Sequence, residues 1–416
     1  MKSTGNTCYH RLPNGLRVVH RQTQLPVSYM GIMIGAGTRD EEVHESGLAH
    51  FIEHCVFKGT ERWSARELLR RVEDVGGELN AYTTKEETVF YAAVPTRYAA
   101  RTIEVLSQMV LHPVFPTEEV EKEKQVIAEE IESYNDSPSE LIYDDFESVV
   151  FAGHPLSQPI LGTKRSLRAL NKKKAQRFME ERYLPDRMVF FSVSALPAAR
   201  VLYALEKYWQ PESTGGSGVT CLSPTGRTVP GSGVAGEMNM RRHTHQAHVM
   251  LGGRAYPIGH ERQLAMYLLN NLLGGDSLSS RLNLSLREQR GLVYTIESTY
   301  TPLSDTGYWS VYFATDESER ELCEELVRKE LRKLQLSALT ESALQRAKCQ
   351  LQGQMAVSAM NMENNALAMG KLMLYHNVAP TWEETYSRIE QLSREELWEC
   401  AQEVFDERNI SILRYV

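Results

Sequence analysis

The sequence consists of two similar halves, and this repeat constrains the fold more than any other feature. An apolar segment at 27–37, VSYMGIMIGAG, has a counterpart at 248–256, HVMLGGRAY. In each half a helical pattern follows, then two strand-like segments (at 78–94 and at 292–315), then an amphipathic helix, with an offset of about 218 residues throughout. Turn residues separate the strands of each pair, so antiparallel pairing is expected. The sequence therefore predicts an α+β fold of two homologous units, each a mainly antiparallel sheet packed with helices.

A segment rich in Gly, Ser, Thr and Pro lies between the two halves. It reads PESTGGSGVTCLSPTGRTVPGSGVAG and covers residues 211–236. This composition is typical of a flexible connector. The sequence therefore predicts an N-terminal domain at 1–210, a linker at 211–236 and a C-terminal domain at 237–416.

Composition and charge disfavour several classes of protein. The 416 residues include 46 Lys and Arg against 54 Asp and Glu, and neither half is basic, which disfavours nucleic-acid binding. The apolar runs are short and interrupted by charges, so no membrane span is expected. The N-terminus lacks an apolar signal-peptide region. Six cysteines without a CxxC pair favour free thiols and a cytoplasmic location.

The segment His50-Phe51-Ile52-Glu53-His54 carries the clearest chemical signal. On a helix, Glu53 falls about 60° to one side of His50 and His54 about 40° to the other. The apolar side chains of the segment lie on the opposite side of that helix. Two imidazoles one turn apart can bind one zinc ion, and Glu53 lies beside them without having to bind it. The alternative is a solvated helix face, but the full five-residue pattern is rare by chance.

A third ligand is best sought in the segment 116–136, PTEEVEKEKQVIAEEIESYND, which begins like a helix. Glu123 and Glu130 lie on the edge of its apolar stripe, formed by Val120, Ile127 and Ile131. Carboxylates on a buried face need a partner, since an unpaired buried charge is costly. A metal ion is one such partner, and a nearby Lys or Arg is the alternative.

These residues resemble a known family. An HxxEH motif followed about 76 residues later by the glutamate of an EKQVIAEEI-type helix is the inverzincin pattern. The whole chain resembles the zinc metallopeptidases of family M16, the group of pitrilysin and mitochondrial processing peptidase, in the form of a single bacterial-type chain. The likeness extends over LPNGLRV, GAGTRDE, HFIEHCVFKGT, GGELNAYTTKEETVFY, EEIESYNDSPSE, NNLLGGDSLSSRL, LREQRGLVY and SDTGYWSVY. It implies a fold of the LuxS/MPP-like metallohydrolase type.

The resemblance also implies roles for individual residues. His50, His54 and Glu130 match the ligands of one zinc ion per chain, Glu53 matches the general base, and Glu123 matches a supporting carboxylate. Six further positions match residues that face the substrate. They are Asn80 and Ala81 in an edge strand, Gly274 and Gly275 in a short glycine loop, and Arg287 and Tyr294 in LREQRGLVY.

An endopeptidase that cleaves extended or unfolded peptides is the function that the resemblance implies. Family members of this length act as pairs of chains that close around a chamber. One chain here carries both the HxxEH motif and the pair Arg287 and Tyr294, so a homodimer is expected, with that pair completing the partner's site. Two alternatives remain open: a non-catalytic subunit, and a catalytic subunit that depends on an unlike partner.

Overall fold

The computed structural model describes residues 2–4, 6–209, 227, 229–231, 235–242, 244–378 and 381–416. Most of the predicted linker, 211–236, lies outside these residues. The strands are β1 Lys2–Thr4, β2 Thr7–Arg11, β3 Arg17–Gln22, β4 Val27–Ile34, β5 Glu78–Thr83, β6 Thr88–Pro95, β7 Met188–Ser194, β8 Glu237–Met240, β9 Ala247–Ala255, β10 Val293–Pro302, β11 Gly307–Thr315 and β12 Ser411–Tyr415.

The helices fall between these strands in both halves of the chain. They are α1 Leu48–Val56, α2 Ala65–Glu73, α3 Ala99–Leu111, α4 Thr117–Asn135, α5 Pro138–Val150, α6 Lys164–Ala169, α7 Lys172–Arg182, α8 Ala198–Tyr208, α9 Gln263–Gly274, α10 Arg320–Leu336, α11 Glu341–Ser358, α12 Met362–His376, α13 Trp382–Gln391 and α14 Arg394–Val404. A π-helical turn, Asn283–Glu288, precedes β10.

The chain forms two compact units. The first contains the described residues of 1–131, 158–225 and 358–379, and the second contains those of 132–157, 226–357 and 380–416. The units therefore follow the two halves of the sequence except in two segments, 132–157 and 358–379. Segment 132–157 contains α5 and belongs to the second unit. Segment 358–379 contains α12 and belongs to the first unit.

The first unit is built on a seven-stranded sheet with the order β1-β2-β3-β7-β4-β6-β5. Its pairs are antiparallel except for β3 and β7. The strand β7 is buried along its whole length, and helices α1 and α3 bury apolar faces in the same core. This order leaves β5 at one edge of the sheet.

The second unit is built on a five-stranded sheet with the order β10-β11-β9-β12-β8. In both sheets the first strand of the repeat (β4 or β9) pairs with the second strand of the predicted hairpin (β6 or β11), and the first hairpin strand (β5 or β10) lies at the edge. Each sheet also contains one parallel pair. The predicted α+β fold of two homologous units is confirmed.

Each sheet is covered in part by a helix from the other half of the sequence. In the first unit α12 packs on β7 and β4, where Gly370 brings the helix backbone against the ring of Phe191. In the second unit α5 packs on β9 and β12, and Phe146 shares a core with Met250 and Leu413. Without these helices, part of each sheet face would be uncovered.

Among the helices that the structure describes, none combines the length and the apolar character needed to cross a membrane.

Candidate active site

Helix α1 presents the HxxEH motif. Its first turn is fixed by Glu41, whose carboxylate accepts hydrogen bonds from the backbone N–H groups of Gly47 (2.8 Å) and Ala49 (2.7 Å). Gly47 adopts a φ of 90°, and a Cβ there would lie 2.7 Å from a backbone oxygen, so only glycine fits. The predicted apolar side of the helix is confirmed, because Phe51, Ile52 and Cys55 are fully buried in the core.

His50, His54 and Glu130 converge in the first unit. Their ligand atoms all lie within 4.8 Å of one another. The Oε2 atom of Glu130 lies 3.7 Å from Nε2 of His50 and 3.4 Å from Nε2 of His54. Ligands about 2.0 Å from a tetrahedral zinc ion lie about 3.3 Å apart. Two imidazole nitrogens and one carboxylate oxygen at these separations therefore fit zinc in both geometry and donor type.

Glu123 orients one of these imidazoles from the side away from Glu130. Its Oε2 atom lies 3.1 Å from Nδ1 of His54, and its Oε1 atom accepts a hydrogen bond from Nζ of Lys58 at 2.7 Å. A carboxylate on one ring nitrogen fixes the tautomer and leaves the other nitrogen for the metal. The alternative considered above, in which a nearby Lys or Arg pairs with the carboxylate, is therefore also met at Glu123, by Lys58. Lys58 was not identified from the sequence, although it lies four residues after His54.

Burial and neighbouring charges shift the pKa values of this cluster. Burial, helped by the nearby His54, lowers the pKa of His50 to about 4, so its imidazole is neutral, as a metal ligand must be. The hydrogen bond with His54 lowers the pKa of Glu130 and keeps it ionised. Burial acts to lower the pKa of His54, but its hydrogen bonds to Glu130 and Glu123 outweigh burial and raise it.

Glu53 lies beside the ligand cluster and is held by a side chain from β5. The hydroxyl of Thr83 donates a hydrogen bond of 2.5 Å to Oε2 of Glu53. Burial raises the pKa of Glu53, while the bond from Thr83 opposes this shift. Thr83 was missed at the sequence level, since no pattern links it to a residue 30 positions earlier.

The strand β5 carries Asn80 and Ala81. They pair with Tyr91 and Phe90 of β6 on one side. On its other side β5 has no strand partner among the described residues. The last residue of β5 is Thr83, which binds Glu53. A peptide that paired with the free edge of β5 would therefore lie along the strand that holds Glu53.

The remaining candidate residues belong to the second unit. Arg287 lies on the π-helical turn with its guanidinium carbon 5.7 Å from the ring centroid of Tyr294. Tyr294 is 81% exposed at the start of β10. Gly274 and Gly275 end α9, and a Cβ on either would lie under 3 Å from Ser298 or Asn271, respectively. Close packing by itself thus accounts for these two glycines.

One other group of described residues has the composition of a metal site: Glu42, His44 and Glu45. The carboxylate of Glu45 is paired with Arg177 and lies 3.4 Å from Nζ of Lys174. Two cations against the one buried carboxylate of the group disfavour a further positive ion there.

Two family models match most of the chain. The model of insulinase (peptidase family M16) matches residues 17–164, and that of the peptidase M16 inactive domain matches residues 169–351. The chain is 31% identical over 395 residues to the uncharacterized zinc protease YmxG of Bacillus subtilis, covering 95% of this chain and 94% of the relative. It is also 31% identical over 401 residues to an uncharacterized zinc protease of Mycobacterium tuberculosis, covering 95% and 90%.

Two solved structures share the fold. A protease from Helicobacter pylori superposes with a TM-score of 0.88 at 21% identity, covering 98% of this chain and 99% of that one. A peptidase M16 inactive domain from Pseudomonas fluorescens superposes with a TM-score of 0.89 at 18% identity, covering 99% and 97%. The fold, the two matched family models and the full-length relatives agree, and the chain belongs to peptidase family M16.

Proposed function

We propose that the protein is a zinc-dependent endopeptidase that hydrolyses extended or unfolded peptides. The observation that carries this proposal is the convergence of His50, His54 and Glu130 beside a separately held carboxylate, Glu53. A site that only stored metal would not need this fourth group. The relatives named zinc proteases support the same reaction class.

His50, His54 and Glu130 would hold one zinc ion per chain. When bound, the ion supplies Lewis acidity that lowers the pKa of a coordinated water and polarises a carbonyl. Glu53 accepts a proton from the attacking water and passes it to the leaving amine. Burial raises the pKa of Glu53, which makes its carboxylate a stronger proton acceptor than an exposed one. Thr83 keeps this carboxylate in one orientation.

The substrate would add to the free edge of β5 as a further strand. Main-chain hydrogen bonds along Asn80 and Ala81 hold an extended peptide with little demand on its side chains. A folded protein cannot offer such a strand without opening, which favours peptides and unfolded segments as substrates. Arg287 and Tyr294 would contact the substrate that the partner chain binds. The high exposure of the Tyr294 ring supports this role, because its hydroxyl is available to a ligand.

The working form would be a homodimer closed around a chamber, in which Arg287 and Tyr294 of one chain complete the site of the other. A cytoplasmic location belongs to the same proposal. Mixing Glu53→Gln chains with Arg287→Ala chains tests completion in trans. We expect activity above that of either variant alone, because one of the two sites in a mixed pair is intact. Subunit exchange without any gain in activity would refute it.

The peptidase itself is tested by digesting a pool of short unstructured peptides and identifying products by mass spectrometry. We expect cleavage by the wild type, none with a zinc chelator, and none by Glu53→Gln. Glu129→Gln is the matched control, since Glu129 is an exposed carboxylate next to Glu130 on α4 and should leave cleavage intact. No cleavage by the zinc-loaded wild type would contradict the proposal and favour a partner-dependent or non-catalytic subunit.

A further inference from the structure

The second unit contains a small cavity, of about 230 Å³, between the π-helical turn with its flanking residues and α10. Four cationic side chains line it: Arg281 and Arg290 on either side of the turn, and Lys329 and Lys333 on α10. One carboxylate, Glu330, lines it as well. The lining therefore carries a net charge of about +3 at neutral pH.

Glu330 neutralises only part of this charge. Its nearly buried carboxylate accepts a hydrogen bond from Lys333 at 2.6 Å and lies 3.7 Å from Arg281. Arg290 donates to the backbone oxygen of Ser285 at 2.5 Å, a bond without charge neutralisation. Among the described residues, neither Arg290 nor Lys329 has a carboxylate within 4 Å. Cations gathered around one cavity repel each other, and an anion between them would relieve that repulsion.

The size and the donors of the cavity indicate the kind of anion. Ligand pockets for drug-sized molecules run from about 300 to 1,000 Å³, so this cavity suits a smaller ligand. Guanidinium groups bind oxyanions through paired N–H donors, and ammonium groups add compact point charges. Leu284 and Leu326 add two apolar side chains to the lining, and Ser285 and Gln289 add two uncharged polar side chains that can donate hydrogen bonds to an anion. A compact multivalent oxyanion matches this set of donors best.

We propose that this cavity binds a small multivalent oxyanion of the phosphate class, held between the π-helical turn and α10. Single π-helical turns within helices are frequent at functional sites. Here the turn also carries Arg287, so an anion bridging Arg290 and Lys329 would tie the segment that holds Arg287 to α10. This consequence rests on the proposed function, in which Arg287 contacts substrate; the binding itself does not.

Calorimetric titration of the full chain, freed of zinc, with inorganic phosphate at constant ionic strength tests the site directly. We expect saturable binding at one site per chain, and an affinity at least tenfold lower in the double variant Arg290→Gln/Lys329→Gln. Arg346→Gln is the matched control, since Arg346 is an exposed arginine of the same unit whose described hydrogen bond is with Ser342. No saturable binding, or equal binding by the double variant, would overturn the proposal.

A second variant should change the affinity for phosphate in the opposite direction. Glu330→Gln removes the carboxylate that competes with the ligand, so phosphate affinity should rise severalfold, which a purely structural charge cluster would not show. Should this variant fail to fold, the double variant still decides the question.

The coupling to Arg287 is read separately, from peptide cleavage with and without phosphate. We expect phosphate to change KM for the wild type and to leave the double variant unchanged. Binding without any change in KM would establish the site and refute the coupling. An inactive enzyme that still binds phosphate would count against the proposed function alone.

Discussion

The bond between Thr83 and Glu53 links the edge strand β5 to the proposed general base. Because this bond lowers the pKa of Glu53 against the effect of burial, its removal should raise that pKa further. We expect Thr83→Val to move the acid limb of the profile of kcat/KM against pH to higher pH and to reduce activity at neutral pH. The size of the shift is expected to be about one pH unit or less, the value of one hydrogen bond.

Thr83→Ser is the control for this prediction, because it keeps the hydroxyl. The acid limb of its pH profile should match that of the wild type. An unchanged limb in Thr83→Val would show that the bond does not set the pKa of the base in the working enzyme.

His20 makes the stability of the first unit depend on pH. It is buried in β3, its Nδ1 atom lies 2.8 Å from Oγ of Ser192, and burial lowers its pKa to about 4. Between about pH 6.5 and pH 4 the unfolded chain therefore binds a proton that the folded chain does not. Stability should fall as the pH falls through this window, by up to roughly 3 kcal/mol from this residue.

His20→Gln checks this contribution by urea unfolding of the zinc-free chain at neutral and acid pH. The variant should lose less stability on acidification than the wild type does, whatever its stability at neutral pH. His245→Gln, a substitution at an exposed position, should leave the acid-side loss in place. Parallel losses in His20→Gln and the wild type would contradict the prediction.

At the scale of the elements, the contact of α12 with the first sheet depends on a glycine. A Cβ at Gly370 would lie 2.7 Å from the ring of Phe191 and 3.4 Å from Met33. Alanine would gain about 1 kcal/mol of helix propensity there, but overpacking of a tight contact costs about 1–3 kcal/mol. We expect Gly370→Ala to lower the free energy of unfolding of the first unit by about 1 kcal/mol.

Gly353 on α11 is the matched position, because a Cβ there meets no atom within 4 Å. Gly353→Ala should therefore stabilise the protein, by about 0.5–1 kcal/mol. Denaturant unfolding of both variants compares the two glycines directly. Equal effects of the two substitutions would show that α12 does not pack as tightly as described.

At the scale of the whole molecule, the two units follow the halves of the sequence except in the segments that contain α5 and α12. A fragment of residues 1–210 would lack α12, whose last carbonyl groups accept hydrogen bonds from Arg17 and whose Lys371 and Tyr375 bind the buried Glu87. Arg17 would lose its bonds to the carbonyl groups of α12, and Glu87 would lose the partners that α12 supplies. Removing one side of a buried charged contact is strongly unfavourable.

We therefore expect the fragments 1–210 and 237–416 to fold poorly when each is expressed alone, and to form a stable complex when both are expressed together. Cooperative unfolding and solubility are the measurements. As a control, a protease site placed within 211–236 should allow cleavage of the folded chain without dissociation. Independent, cooperative folding of 1–210 would contradict the role given to α12.

Local periodicity predicted that His50 and His54, the candidate zinc ligands on α1, lie together, because residues three and four apart share a helix face in any fold. The strand pairs were predictable from apolar alternation and turn residues, which act over a few positions. The repeat was predictable because the same order of these local patterns occurs twice. Helix spacing alone left open whether Glu130 binds a metal ion or pairs with a nearby Lys or Arg. The resemblance to a known family favoured the metal ion.

The sequence by itself thus predicted the candidate metal-binding residues, the classes of the main elements and the internal repeat, because helix periodicity, strand alternation and turn residues can all be identified in short segments of the chain. The tertiary structure alone decided that Thr83 holds Glu53 and that Lys58 shares Glu123 with His54. It also decided that α5 and α12 belong to the other half's unit, and that the cations flanking the π-helical turn line one cavity with those of α10. These contacts depend on where each element packs in space. Packing is set by the summed burial of many side chains, which no short segment of the sequence specifies.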